Sequence, residues 1–173
     1  MRVKEVSGAS WLWIVLLLGL SLRLFGLMEP LIDKQAWRQT DTAAIARNYY
    51  EEGYTLFHPR VDWRGTSSGF VESNFPLYPF VVGLLYSVVG GAYEWVGRLV
   101  AALCSTAAGA LLYLLALRLG LSARSALFGS LFYLLFPLSV YYGRTFMPEA
   151  LMIFLSVAAL WAFARWIDTG TRW

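Results

Sequence analysis

The chain has 173 residues, of which 58% are hydrophobic and only 14% charged, with a mean hydropathy of +0.56. Soluble domains carry roughly 25% charged residues, so this composition describes an integral membrane protein. The net charge of +3 is small and its positive residues are dispersed, which excludes the basic footprint of nucleic-acid binding. The single cysteine, Cys104, and the single histidine, His58, exclude an intrachain disulfide and a Cys/His metal cluster, so a metal would have to sit on carboxylates.

In chain order, the first element is the apolar run 11–28, preceded by Arg2 and Lys4. The following "RLFGLMEP" lacks the small-residue pattern of a signal-peptide cleavage site, and about 18 apolar residues are enough to span a bilayer, so the run reads as a retained anchor. Arg23 lies near its end, where snorkelling to the interface is the favoured reading. The polar loop 29–95 comes next. Within it, Thr40 or Asp41 is a plausible N-cap of an amphipathic helix over 41–52, with Ile45, Ala46, Tyr49 and Tyr50 on one face and Gly53 as terminator.

Four further apolar runs follow, and counting all as crossings would oppose the positive-inside tendency. The run 75–89 is the weakest candidate, being short, with Pro76 and Pro79 in its first turns and Gly90-Gly91 at its end. It is expected to be a juxtamembrane helix at the outer face. The crossings are then 11–28, 96–117, 126–142 and 149–167, which places the loop around Asp41 and the turn before Glu149 on the same outer side.

Several stretches in register, "DKQAWRQTDTAAIARNYYEEG", "HPRVDWRGTSSGFVESNFPLYPFVVGLLY", "WVGRLVAAL" and "YYGRTFMPEAL", resemble the N-terminal portion of bacterial GT-C glycosyltransferases of the protein-mannosyltransferase and aminoarabinose-transferase type. The resemblance implies an all-α membrane fold of about four transmembrane helices with an outer loop carrying juxtamembrane helices. It also implies transfer of a sugar from a polyprenyl-phosphate donor to a lipid, glycan or protein acceptor, usually with inversion, in a bacterial plasma membrane with the active site facing outward. Enzymes of this type are longer, so the chain is expected to be a fragment of one.

An acidic residue that this family carries in its first outer loop matches Asp41, although the family's following Glu is replaced by Thr42; Asp33 is a weaker match. A second acidic residue matches Glu149, where Pro then Glu is also ordinary helix-start chemistry. Glycosyl transfer from a lipid phosphate needs a base near the acceptor hydroxyl and positive charge at the leaving phosphate. Asp41 is the candidate base, unless it only caps its helix. Arg38, Arg144 and Arg98 are candidates to hold phosphate, each alternatively an interface anchor, because the guanidinium fork matches phosphate oxygens. Trp37, Trp63 and Tyr78 either stack on sugar or belong to the interfacial aromatic belt, and Glu72 adds a polar group to the loop. No cofactor is implied with certainty; a divalent metal is admissible. The alternative from another class is a non-catalytic membrane scaffold or lipid-binding subunit with the same fold.

Overall fold

The computed structural model describes residues 3–71 and 74–170, with side chains from residue 10 to residue 167 among them. The described residues form seven helices: α1 (Val3–Leu24), α2 (Ala36–Glu52), α3 (Leu77–Val89), α4 (Glu94–Arg118), α5 (Ala123–Leu135), α6 (Pro137–Tyr142) and α7 (Glu149–Thr169). Among these residues the extended pairing is confined to one isolated antiparallel bridge, Arg60 with Phe70. The all-α expectation therefore holds. By length and composition α4 and the Glu149–Ile167 stretch of α7 can cross a membrane, with mean hydropathies of 2.1 and 1.9, whereas the apolar stretches Ser10–Leu24, Leu77–Val89 and Ala123–Leu135 are shorter.

The run 126–142, expected as one helix, is broken into α5 and α6. Pro137 has no N–H to donate and pushes the preceding residue out of the helical region, and Phe136 is extended at φ −60°, ψ 126°. The chain then resumes with Pro137 in the first turn of α6, where a missing N–H costs nothing.

Two compact units divide the chain: Met1–Phe25, Ala102–Gly143 and Glu149–Trp173 form one, and Gly26–Ala101 with Arg144–Pro148 form the other. In the first, α1 packs on α5 and α6, and Leu134 sits where a side chain at Gly19 or Gly109 would come within 2.9 Å or 2.8 Å of it. Small residues let apolar helices approach closely enough for dispersion to hold them together.

Arg23 lies at the centre of this unit with no exposed surface, which overturns the snorkelling expectation. Its Nε donates to Ser105 Oγ at 2.9 Å, its Nη1 to the carbonyls of Gly19 and Leu134 at 2.9 Å each, and its Nη2 to Ser139 Oγ at 2.9 Å and Ser139 O at 3.3 Å. The break at Pro137 explains this placement. It ends α5 and leaves terminal carbonyls such as that of Leu134 without an intrahelical donor, and a cation suits a helix C-terminus. Gly143 completes the socket, since a Cβ there would lie 2.6 Å from both Arg23 Nε and Ser105 Oγ.

In the second unit α2 packs along α3. Ile45, Tyr49 and Val61 form its core with Val71 and Phe80 against them, and Tyr49 meets Phe80 edge-to-face at 5.3 Å. Gly83 permits the contact, because a Cβ there would stand 2.9 Å from the carbonyl oxygen of Ala46. Gln39, fully buried, ties the Arg144–Pro148 segment to the same unit: its Oε1 accepts from the backbone N–H of Phe146 at 3.0 Å, and its Nε2 donates to Asp33.

Candidate active site

The start of α2 differs from the expectation in a way that changes the reading of Asp41. The helix begins at Ala36 with Gln35 at the N-cap position, so neither Thr40 nor Asp41 is the cap and Asp41 lies in the second turn. Asp33 organises the entry instead. Its Oδ1 accepts from the N–H of Gln35 at 3.3 Å and from Gln39, while its carbonyl accepts from Ala36 N at 3.0 Å. Thr40 hydrogen-bonds backward to the carbonyls of Ala36 and Trp37.

With the cap reading removed, Asp41 belongs to a helix face. Trp37, Arg38, Asp41, Thr42 and Ile45 recur at the three- and four-residue spacing that aligns side chains along one side of a helix. Together with Asn74 and Phe75 they line a pocket of about 350 Å³. Arg38 and Asp41 thus bring opposite charges to one cavity. The indole Nε1 of Trp63 donates to Asp41 Oδ1 at 3.0 Å, and its ring lies 6.5 Å from that of Trp37, tilted by 33°.

The later turns of α2 do something different with their charge. Arg47 pairs with Asp62, which also accepts from Asn48 at 3.1 Å, and Glu52 accepts from Arg60 at 2.7 Å and from Arg64 at 2.9 Å. These pairs bind the segment after Gly53 back onto α2. Hydrogen bonds from Arg64 and Arg60 hold the Glu52 carboxyl down to about 2, below the ordinary carboxylate range. Burial acts to raise Asp62, but the bonds from Arg47 and Asn48 outweigh it and keep that carboxyl below its ordinary value. Single exposed ion pairs contribute little, yet several converging on one short segment fix its path. The expected amphipathic helix is therefore a helix whose first half lines a pocket and whose second half clamps a loop.

The other candidates fall elsewhere. Arg98 is 6% exposed, donates to the carbonyls of Gly26 and Pro30 at 2.6 Å and 3.1 Å, and does not line the pocket. Arg144 Nη1 and Glu29 Oε2 both approach Gly26, where a Cβ would lie 3.4 Å and 2.9 Å from them. Tyr78 is 1% exposed, donates to Gly97 O at 2.8 Å and packs edge-to-face on Phe146, so neither sugar stacking nor an interfacial belt describes it. Glu149 opens α7 in the first unit. Glu72 lies outside the described residues. Among the described residues no three His, Cys, Asp or Glu side chains come together as a metal site.

Trp63 and Asn74 at the pocket, and Gln39 behind it, carry no local sequence signal for these positions. Trp63 and Asn74 are placed by the return of a loop onto α2, and Gln39 is fixed by its bonds to Asp33 and to the backbone of Phe146.

Residues 73–173 match the family described as dolichyl-phosphate-mannose-protein mannosyltransferase, more than half of the chain. The pocket-lining face of α2 precedes the matched region. No curated protein and no solved structure matches the chain. An all-helical chain with membrane-length apolar helices and a family match over most of them leads to one assignment: the chain belongs to the dolichyl-phosphate-mannose-protein mannosyltransferase family of GT-C membrane glycosyltransferases.

Proposed function

We propose that this chain carries the acceptor-activating site of an enzyme that moves a sugar from a polyprenyl-phosphate donor to a hydroxyl of a lipid, glycan or protein acceptor. The observation that supports it is the pairing of Asp41 and Arg38 in one pocket, with the aromatic ring of Trp37 beside them. Asp41 takes the proton of the acceptor hydroxyl as the acceptor oxygen attacks the anomeric carbon. The bond from that carbon to the phosphate oxygen breaks, the electron pair leaves with the polyprenyl phosphate, and Arg38 neutralises the charge that develops there. Attack opposite the leaving group inverts the anomeric centre. Glu149 keeps its assignment by sequence resemblance alone, Arg144 by the match of its guanidinium to phosphate, and Glu72 as a polar group of the loop.

The test is transfer of radiolabelled sugar from a panel of polyprenyl-phosphate sugars in membranes holding the full-length gene product. Arg38→Ala is expected to weaken donor use by roughly 10- to 100-fold, the worth of a charge-assisted hydrogen bond to phosphate. Arg38→Lys should recover part of it. Unaltered donor use in Arg38→Ala would remove Arg38 from the site.

The proposed topology has four crossings and the pocket outside, in a bacterial plasma membrane. A cysteine replacing the exposed Thr66 should then react with an impermeant maleimide in intact cells, and one replacing the exposed Ser122 only after lysis. Labelling of Ser122→Cys from outside would overturn it. Thr145, on the outer turn before Glu149, is 1% exposed and makes a poor reporter.

A further inference from the structure

Trp63 is bracketed by two residues tied to the far end of α2. Asp62 is held by Arg47 and Asn48, and Arg64 by Glu52. Between these anchors the side chain of Trp63 reaches back along the helix to Asp41, although 63% of its own surface is exposed. Burial therefore does not explain its orientation. An exposed tryptophan has many rotamers open to it, and here anchored neighbours, an indole hydrogen bond and the Trp37 ring select one.

We propose that Trp63 is the positioning residue of Asp41: its indole N–H holds one carboxylate oxygen, fixes the rotamer of the acid and leaves the other oxygen to meet the acceptor hydroxyl. The loop clamp that pins Asp62 and Arg64 supplies the rigidity. Other charge facing Asp41 comes from Arg38, which among the described residues is the one other charged side chain lining the pocket; the surfaces contributed by α3 and by the Arg144–Pro148 segment are uncharged there. The catalytic half of this inference rests on the assignment of Asp41 as the base.

The experiment compares the full-length protein with Trp63→Phe, which keeps an aromatic ring and removes the donor. Carboxyl carbon-13 signals are recorded at one fixed pH in aspartate-labelled protein in lipid nanodiscs, with Asp41 identified by the signal missing from Asp41→Asn. The Asp41 carboxyl signal is expected to change its chemical shift in Trp63→Phe, as the indole N–H is withdrawn from its oxygen. In the transfer assay kcat per folded molecule, normalised to the monodisperse fraction, should fall with donor KM unchanged, whereas loss of folded protein alone would leave that normalised kcat at the wild-type value. An unmoved Asp41 signal overturns the inference. If that signal moves while Asp41→Asn still transfers sugar at the wild-type rate, the contact to Asp41 stands and the assignment of the base falls.

Discussion

Asp41→Asn in the full-length protein is expected to remove sugar transfer almost entirely while leaving the amount of folded protein nearly unchanged. The substitution preserves shape, and an amide oxygen can still accept from the Trp63 indole, so the contact at 3.0 Å survives in weakened form. Proton acceptance does not survive. General base catalysis by a positioned side chain is worth about 10²- to 10⁴-fold, and that is the expected loss in kcat per folded molecule. Stability is the discriminating second readout. Had Asp41 been the N-cap of α2, the same substitution would act on the helix, with activity per folded molecule retained. Because the helix starts at Ala36 and Asp41 lies beyond its first turn, no cap is lost. Transfer assayed beside the monodisperse yield on size exclusion separates the two cases. Equal transfer in wild type and variant would exclude Asp41 as the base and direct attention to Asp33 and Glu149.

How much of this site was legible in the sequence depends on the range over which each residue finds its partner. Trp37, Arg38 and Asp41 are neighbours through helical spacing alone, so once a helix is recognised their shared face follows. The start of that helix is not legible locally, because Thr40-Asp41 has the chemistry of a cap whereas Asp33 shapes the entry through a tight turn and a bond to Gln39. Local preference was outweighed by a contact six residues away. Trp63 was legible only as an aromatic residue in a loop; its bond to Asp41 depends on ion pairs that fold residues 60–64 back onto α2. The break at Pro137, by contrast, lay in plain view within an apolar run. The hydrophobic pattern continues across it and suggests one element, but the missing N–H and the restricted residue before it make two. Pattern describes which face is greasy, and backbone chemistry decides where the helix ends.

Arg23→Ala is expected to produce the largest loss of stability of any substitution in the first unit, about 3 to 5 kcal/mol, seen as a lowered unfolding midpoint in detergent and a reduced folded yield. A snorkelling arginine at a helix end would lose some packing and little else. Arg23 is different because it has no exposed surface and its hydrogen-bond partners are spread over α1, α4, α5 and α6. Those partners are neutral oxygens, and the guanidinium's charge is balanced by the negative ends of helices that stop beside it. Their dependence on it is unequal. Ser139 O also accepts from Gly143 N at 2.9 Å, and Ser105 Oγ lies 3.3 Å from Tyr133 Oη, so both retain a partner. Leu134 O is at the end of α5, where the ladder stops, and removing Arg23 strands it at about 1 to 3 kcal/mol; the cavity left by a large side chain adds the rest. Arg23→Lys is the informative companion. A lysine keeps the charge but cannot address three directions with a rigid planar fork, so it should recover only part of the loss. Full recovery by lysine would mean that charge alone holds the helix ends together, and an unchanged midpoint in Arg23→Ala would return Arg23 to the membrane surface.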